Sequence, residues 1–211
     1  MGQIQSGATS DLLTVDPTFK AARVTIRPPE VTGAYRISQR SGLIAASTAA
    51  ASILYAFRYT GTGVAIVSSV RIGLNVTTAY TAGSISFGLY FTRSFTVIET
   101  TNMTAATLSG NNAKLRTSHA TTSALSSICT TTGGTLATGT DDSQPLAALT
   151  FNLPNTITGQ MVQDFYNFNL QSHPMVCAQN EGFRIRNDTA FAATGVSNLV
   201  VSVEWSEATA Y

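Results

Sequence analysis

The sequence predicts an all-β protein, a sandwich or a barrel, on three observations. Apolar and polar residues alternate with a period of two in one short segment after another. Threonine, whose branched Cβ suits a pleated strand and disfavours helix interiors, occupies 32 of the 211 positions. Glycine, proline and asparagine interrupt the alternating runs and supply turns. A chain of this length can close a single sandwich around a core that needs no disulfide or metal staple.

Residues 1–20 are small and polar, with Pro17 near their end. They read as an extended N-terminal arm, outside a single domain spanning 21–211. Arg23-Val24-Thr25-Ile26-Arg27 alternates and stops at Pro28-Pro29, because proline cannot donate to a ladder. Ala34-Tyr35-Arg36-Ile37-Ser38 is a second short strand. Residues 53–59 place Ile53, Tyr55, Phe57 and Tyr59 on one face. Gly61-Thr62-Gly63 is a turn, and 64–76 then give two strands or one long bent strand, with Gly73 marking a bulge. Residues 84–92 put Ile85, Phe87, Leu89 and Phe91 on one side, and 94–98 continue the pattern through Phe95 and Val97.

The stretch from 100 to 145 is rich in Thr, Ser, Asn and Gly. It reads as a loop-rich excursion with short strands. Strands return at 146–153, 175–178, 182–186 and 199–205. Two stretches have a helical alternative. Leu43 to Ser52 is Ala-rich but otherwise reads as an extended surface loop; Gln160 to Tyr166 has room for a turn or two.

Charged residues make up 11% of the chain, against roughly 25% in a typical soluble domain. Lysine occurs only at Lys20 and Lys114, and the other ten basic residues are arginines. A surface poor in Lys and Glu has the composition of a protein interface. Net charge is +1 and the arginines are dispersed, so no nucleic-acid partner is expected. No run approaches the roughly 20 apolar residues of a membrane span. The start, Met1 to Ser6, lacks the basic and apolar regions of a signal peptide. Cys129 and Cys177 are expected as free, packed thiols, which suits assembly in a reducing cytoplasm.

Chemistry is sparse. His119 and His173 lack partners at metal-ligand spacing, so neither a metal nor a cofactor is expected. The one nucleophilic pairing in prospect sets Cys177 beside either histidine. The adjacent acids Asp141-Asp142 read as a turn in which aspartate bonds its own backbone, rather than as a hydrolytic pair. The chain is therefore expected not to be an enzyme. Arg184 and Arg186 flank Ile185 and share one face of a strand. They are expected either in solvent or paired with acids of a neighbouring chain, for which Glu181, Glu204 and Glu207 are candidates. With Arg71, Arg93, Arg116, Trp205 and Tyr211, the arginines and the acids Glu181 and Glu204 form a candidate interface, although Trp205 and Tyr211 read equally as simple core and tail residues.

Four stretches carry a resemblance. They are Gly33-Ala34-Tyr35-Arg36-Ile37-Ser38, Gly110-Asn111-Asn112-Ala113-Lys114-Leu115-Arg116-Thr117-Ser118, Ala178-Gln179-Asn180-Glu181-Gly182-Phe183-Arg184-Ile185-Arg186 and Val203-Glu204-Trp205-Ser206-Glu207. They resemble a group of uncharacterised proteins encoded in tailed-bacteriophage genomes, from near residue 20 to the end. The resemblance implies a virion structural protein, of the kind that decorates or cements a capsid shell. Such proteins are often β-sandwiches and commonly homotrimers, and the fold this implies here is an all-β, jelly-roll-like antiparallel β-sandwich with an extended N-terminal arm and long loops. The implied partners are the major capsid protein and copies of the chain itself, and the implied location is the capsid surface after assembly in the bacterial cytoplasm. The alternative is a tail, baseplate or fibre component that binds host-surface glycans. Tyr55, Tyr59 and Tyr90 would serve that reading, although their strand spacing suits a core.

Overall fold

The computed structural model describes residues 31–81, 83–153, 155, 161–168 and 173–209. The expected arm at 1–20, the strand at 23–27 and Tyr211 lie outside these residues. The described residues form twelve strands and no α-helix. In chain order they are β1 (Val31–Arg40), β2 (Ile53–Tyr59), β3 (Val64–Thr78), β4 (Gly83–Arg93), β5 (Met103–Ala105) and β6 (Ala124–Cys129). There follow β7 (Thr140–Asp141), β8 (Ala147–Leu153), β9 (Met161–Asn167), β10 (Met175–Cys177), β11 (Glu181–Asn187) and β12 (Val196–Ala208).

They pair antiparallel throughout, in two sheets packed as the expected sandwich. One sheet runs β1-β12-β3, with β9 and β10 taking successive stretches of the far edge of β3. The other runs β5-β6-β2-β11-β4, with β7 and β8 dividing the far edge of β4 in the same way. Each of these two sheet edges is thus a single interrupted strand.

The inner faces meet through large side chains. Leu199, Val201, Val203 and Trp205 of β12 and Val70, Ile72 and Leu74 of β3 are buried. So are Tyr55 and Phe57 of β2, Phe183 and Ile185 of β11, and Phe87 and Leu89 of β4. Phe57 stacks on Phe183 at 5.2 Å within its own sheet and meets Trp205 edge-on at 5.2 Å across the sandwich. Burying each such side chain contributes about 1.5–3 kcal/mol.

Several expectations are corrected. Residues 161–167 form strand β9, because the open edge of β3 offers a ladder and so short a segment is a marginal helix. Leu43 to Ser52 is not helical either. Its donors go to four separate segments: Ile44 to Ser197, Ala45 to Thr131, Ser47 to Ala192 and Ala51 to Asn187. Ser47 and Ala51 moreover sit at φ 59° and 61°, outside the helical region. Residues 64–78 are one strand, and Gly73 pairs regularly. The register shifts lie instead where Val196-Ser197 faces Thr78 and Val76, where Glu204-Trp205 faces Ser69 and Val67, and between Val70 and Arg71. Finally, 94–98 does not extend β4. Ser94 takes φ 54°, and the chain leaves the sheet there.

Where it goes sets up the rest of the molecule. The segment from Ser94 to Asp142 contributes β5, β6 and β7 to the seven-stranded sheet, and the stretches around Phe95–Glu99 and Gly134–Gly139 fold back over the outer face of β2 and β11. Gly134 and Ile53 exchange backbone hydrogen bonds, and Phe95 donates to the Asn180 carbonyl at 2.8 Å. Leu54 and Ala56 are consequently as buried as Tyr55 and Phe57, so β2 is closed on both faces. Further along, Leu115 donates to Ala34 and Arg36 to Ala113 along the edge of β1. The turn around Gly110, at φ 66°, stands clear with nothing near its α-carbon. Gly139, at φ 89°, returns the excursion to β4 so closely that a side chain there would press on the Arg93 carbonyl at 2.9 Å.

Candidate functional site

The strongest cluster of chemistry lies between that excursion and the sheet beneath it. Period-two alternation sends Phe183 and Ile185 of β11 into the sandwich and Arg184 outward, between Ala56 of β2 and Tyr90 of β4. Arg184 nevertheless has no exposed surface, because the excursion covers it. Its Nε donates to Glu99 Oε1 at 2.7 Å, and one terminal nitrogen donates to Asp141 Oδ1 at 2.6 Å. The other terminal nitrogen bonds both Glu99 Oε1 and the Thr138 carbonyl. The guanidinium carbon lies 4.2 Å over the Phe95 ring. Its planar fork of donors is thereby almost fully used, as a buried arginine requires.

Arg186, on the same outward row, completes the group. It donates to Asp141 Oδ2 at 3.0 Å and lies 3.8 Å over the Tyr90 ring, whose hydroxyl donates to Asp188 at 2.7 Å. Thr92 adds a bond to Asp141 Oδ1 at 2.8 Å. Burial pushes the Glu99 carboxyl above its ordinary value, opposed by the charge of Arg184. Glu99 Oε2 has no hydrogen-bond partner. Beside the cluster an open cleft of about 630 Å³ is lined by Ser52, Ile53, Gly134, Leu136, Asp141 and Arg186 among others.

Two readings of the sequence are overturned here. Arg184 neither faces solvent nor reaches a neighbouring chain, since its own chain covers and neutralises it. Asp141 and Asp142 do not cap a turn. Their carboxylates go to different arginines, Asp141 to the buried pair and Asp142 to Arg93.

Trp205 is a core residue rather than an interface anchor. It stacks on Tyr35 at 5.4 Å, and its indole N–H donates to Glu207 Oε1 at 3.3 Å. Glu207 also accepts from the Ser123 amide and the Thr122 hydroxyl, and is buried. It is therefore spent within the chain and is no acid for a neighbour. Glu181 likewise turns inward on its own loop, accepting from the Ala178 amide at 2.9 Å.

The remaining candidates stay on the surface but do not converge. On the outer face of the five-stranded sheet, Arg36 pairs with Glu204 at 3.2 Å and Arg71 with Asp164 at 2.7 Å. Between them Ser38 and Ser202 hydrogen-bond at 2.9 Å, and Val162 is exposed. Arg93 lies over Phe91 at 4.8 Å on another side of the molecule. Arg116 is exposed in the turn that ends at His119. Tyr55, Tyr59 and Tyr90 are buried, so they offer no stacking surface for a sugar.

The cysteines and His119 are held in the fold. His119 is tied to the backbone of Ala34 and stands edge-on to Tyr35. Both cysteines are free and buried, as expected. Burial pushes the Cys129 thiol up to about 12 and Cys177 higher still, the reverse of what a thiolate nucleophile needs. Among the described residues, no three His, Cys, Asp or Glu side chains converge in a way that could hold a metal ion.

Sequence reasoning found Arg184 and Arg186 but missed Glu99, Phe95 and Thr138. The available signal was a lone Glu in a Thr-rich, nearly uncharged stretch. In such surroundings a carboxylate calls for a specific cation. No family model, no curated protein and no solved structure matches this chain.

Proposed function

We propose that this protein is a virion structural protein that binds and stabilises the shell of a tailed-bacteriophage capsid, with the major capsid protein and copies of itself as partners. The observation that carries the reading is the order of the strands. Leaving aside the short pair β5 and β6, the sheets read β1-β12-β3-β9/β10 and β2-β11-β4-β7/β8. Successive strands mostly alternate between the sheets, with β4, β7 and β8 staying in one and β9 and β10 in the other, and this order supports reading the sandwich as a jelly roll of two Greek keys. Jelly rolls recur in capsid and lectin domains, and fold alone does not choose between them.

Two further features favour a shell-binding role. The outer face of the seven-stranded sheet is covered over β2 and β11 by an excursion pinned through Arg184, which stiffens the plate. The outer face of the five-stranded sheet is broad and bears two compact ion pairs, Arg36–Glu204 and Arg71–Asp164. A rigid plate with one dressed face loses little entropy on docking. Interfaces of about 800 Å² per partner then suffice for specific association, and many copies add avidity.

The test is a binding assay with purified capsids. The double variant Arg36→Glu with Arg71→Glu should fold normally yet lose shell occupancy. Deletion of residues 1–20 should weaken attachment and leave the fold intact. Undiminished decoration by both proteins would overturn the reading. Counting copies per particle separates it from a tail component: hundreds support the shell, a handful the tail.

A further inference from the structure

The edge of the seven-stranded sheet formed by β8 is unlike any other sheet edge among the described residues. Asp188 donates its amide to the Ser86 carbonyl, so the even-numbered residues of β4 turn their backbone groups toward β11. Ile85, Phe87 and Leu89 therefore bond to β8, opposite Phe151, Leu149 and Ala147. The amides and carbonyls of Ala148, Thr150 and Asn152 point the other way, off the sheet. All three residues are exposed.

Native proteins blunt such edges with charge, proline, a bulge, brevity or a cover. The other edges follow that rule. β1 carries Arg36 and Arg40 and is partly covered by Ala113 and Leu115. β5 and β10 have three residues each and β7 has two. β9 carries Asp164 and a register shift. β8 has seven residues, Ala147-Ala148-Leu149-Thr150-Phe151-Asn152-Leu153, with no charge, no proline and no break in register.

We infer that β8 is an association edge whose occupant is β8 of a second copy of this chain. The strand is complementary to itself. Antiparallel pairing about a two-fold axis at Thr150 sets Leu149 against Phe151 and Ala147 against Leu153 of the other copy. All four face the sandwich interior, so the two cores become continuous. On the outer side, Thr150 meets Thr150 and Ala148 meets Asn152. The residues brought opposite each other are those whose outward amides and carbonyls need partners, and no like charges meet. Each copy has one such edge, so the association closes at two. This contact is independent of the capsid reading and differs from the three-fold association expected from the resemblance.

The test is sedimentation equilibrium on the full chain and two variants, with circular dichroism to verify folding. Thr150→Pro removes the central outward amide. Thr150→Lys places two lysines directly opposite each other at the axis while leaving every backbone bond to β4 in place. The wild type should be a dimer in the micromolar range, and both variants should be folded monomers. A wild type that is a monomer or a trimer overturns the inference, as does either folded variant that dimerises like the wild type. Should Thr150→Pro fail to fold, Thr150→Lys decides alone.

Discussion

Arg184 Nε lies 2.7 Å from Glu99 Oε1, across 85 residues of chain, and neither side chain has any exposed surface. One bond thus ties a strand of the sandwich to the segment laid over it. Removing one partner of such a pair leaves an uncompensated charge in a dry place. Arg184→Ala should cost about 3–5 kcal/mol of stability. Urea unfolding measures the loss. Limited proteolysis should show new cleavage between 130 and 140, where the excursion lifts away.

The same pair sets a pH dependence. Burial raises the Glu99 carboxyl above its ordinary value of 4.5. Between 4.5 and that higher native value, the folded chain holds a proton that the unfolded chain has lost. Stability from this group is therefore full below 4.5 and falls as pH rises through the native value. Glu99→Gln cannot titrate. The stability of the wild type relative to Glu99→Gln should rise on acidification through that window. A difference that stays flat would place Glu99 in a wetter site than the fold shows.

Trp205 is the only tryptophan, and it sits where the two sheets meet. Trp205→Ala removes contacts with both Tyr35 and Phe57 and should cost about 3–5 kcal/mol. The native fluorescence should be blue-shifted and should move to the red in the same transition that circular dichroism reports.

Cys129 and Cys177 are both closed to solvent, and burial holds both thiols in the neutral form. Alkylating reagents at neutral pH should leave the folded protein unmodified and label two thiols after denaturation. Labelling of the native chain would reveal local opening of β6 or β10.

The strands were legible because period-two alternation is a local property, and β2, β4, β11 and β12 each display it. What covers the outer face of a strand is not local. Arg184 stands at an outward position, and nothing in its neighbours' identities says that Glu99 and Asp141 will close over it. The cover carries few large apolar residues and is held by backbone bonds and charge, so hydrophobic patterning does not reveal it. Residues 161–167 failed for a related reason. Their fate depends on the vacant edge of β3, a partner remote in sequence. Trp205 carried two readings, core residue or interface anchor, because aromatic residues are enriched in cores and interfaces alike, and its burial selects the core.

The Gly110 turn has a practical consequence. Ser109 to Asn112 are exposed, no neighbour closes on Gly110, and none of the four is among the residues that grip Arg184. Foreign sequence spliced at this tip would lengthen a loop without disturbing a ladder, and each doubling of loop length costs only about 0.6 kcal/mol. The turn is a natural place to graft an epitope for display.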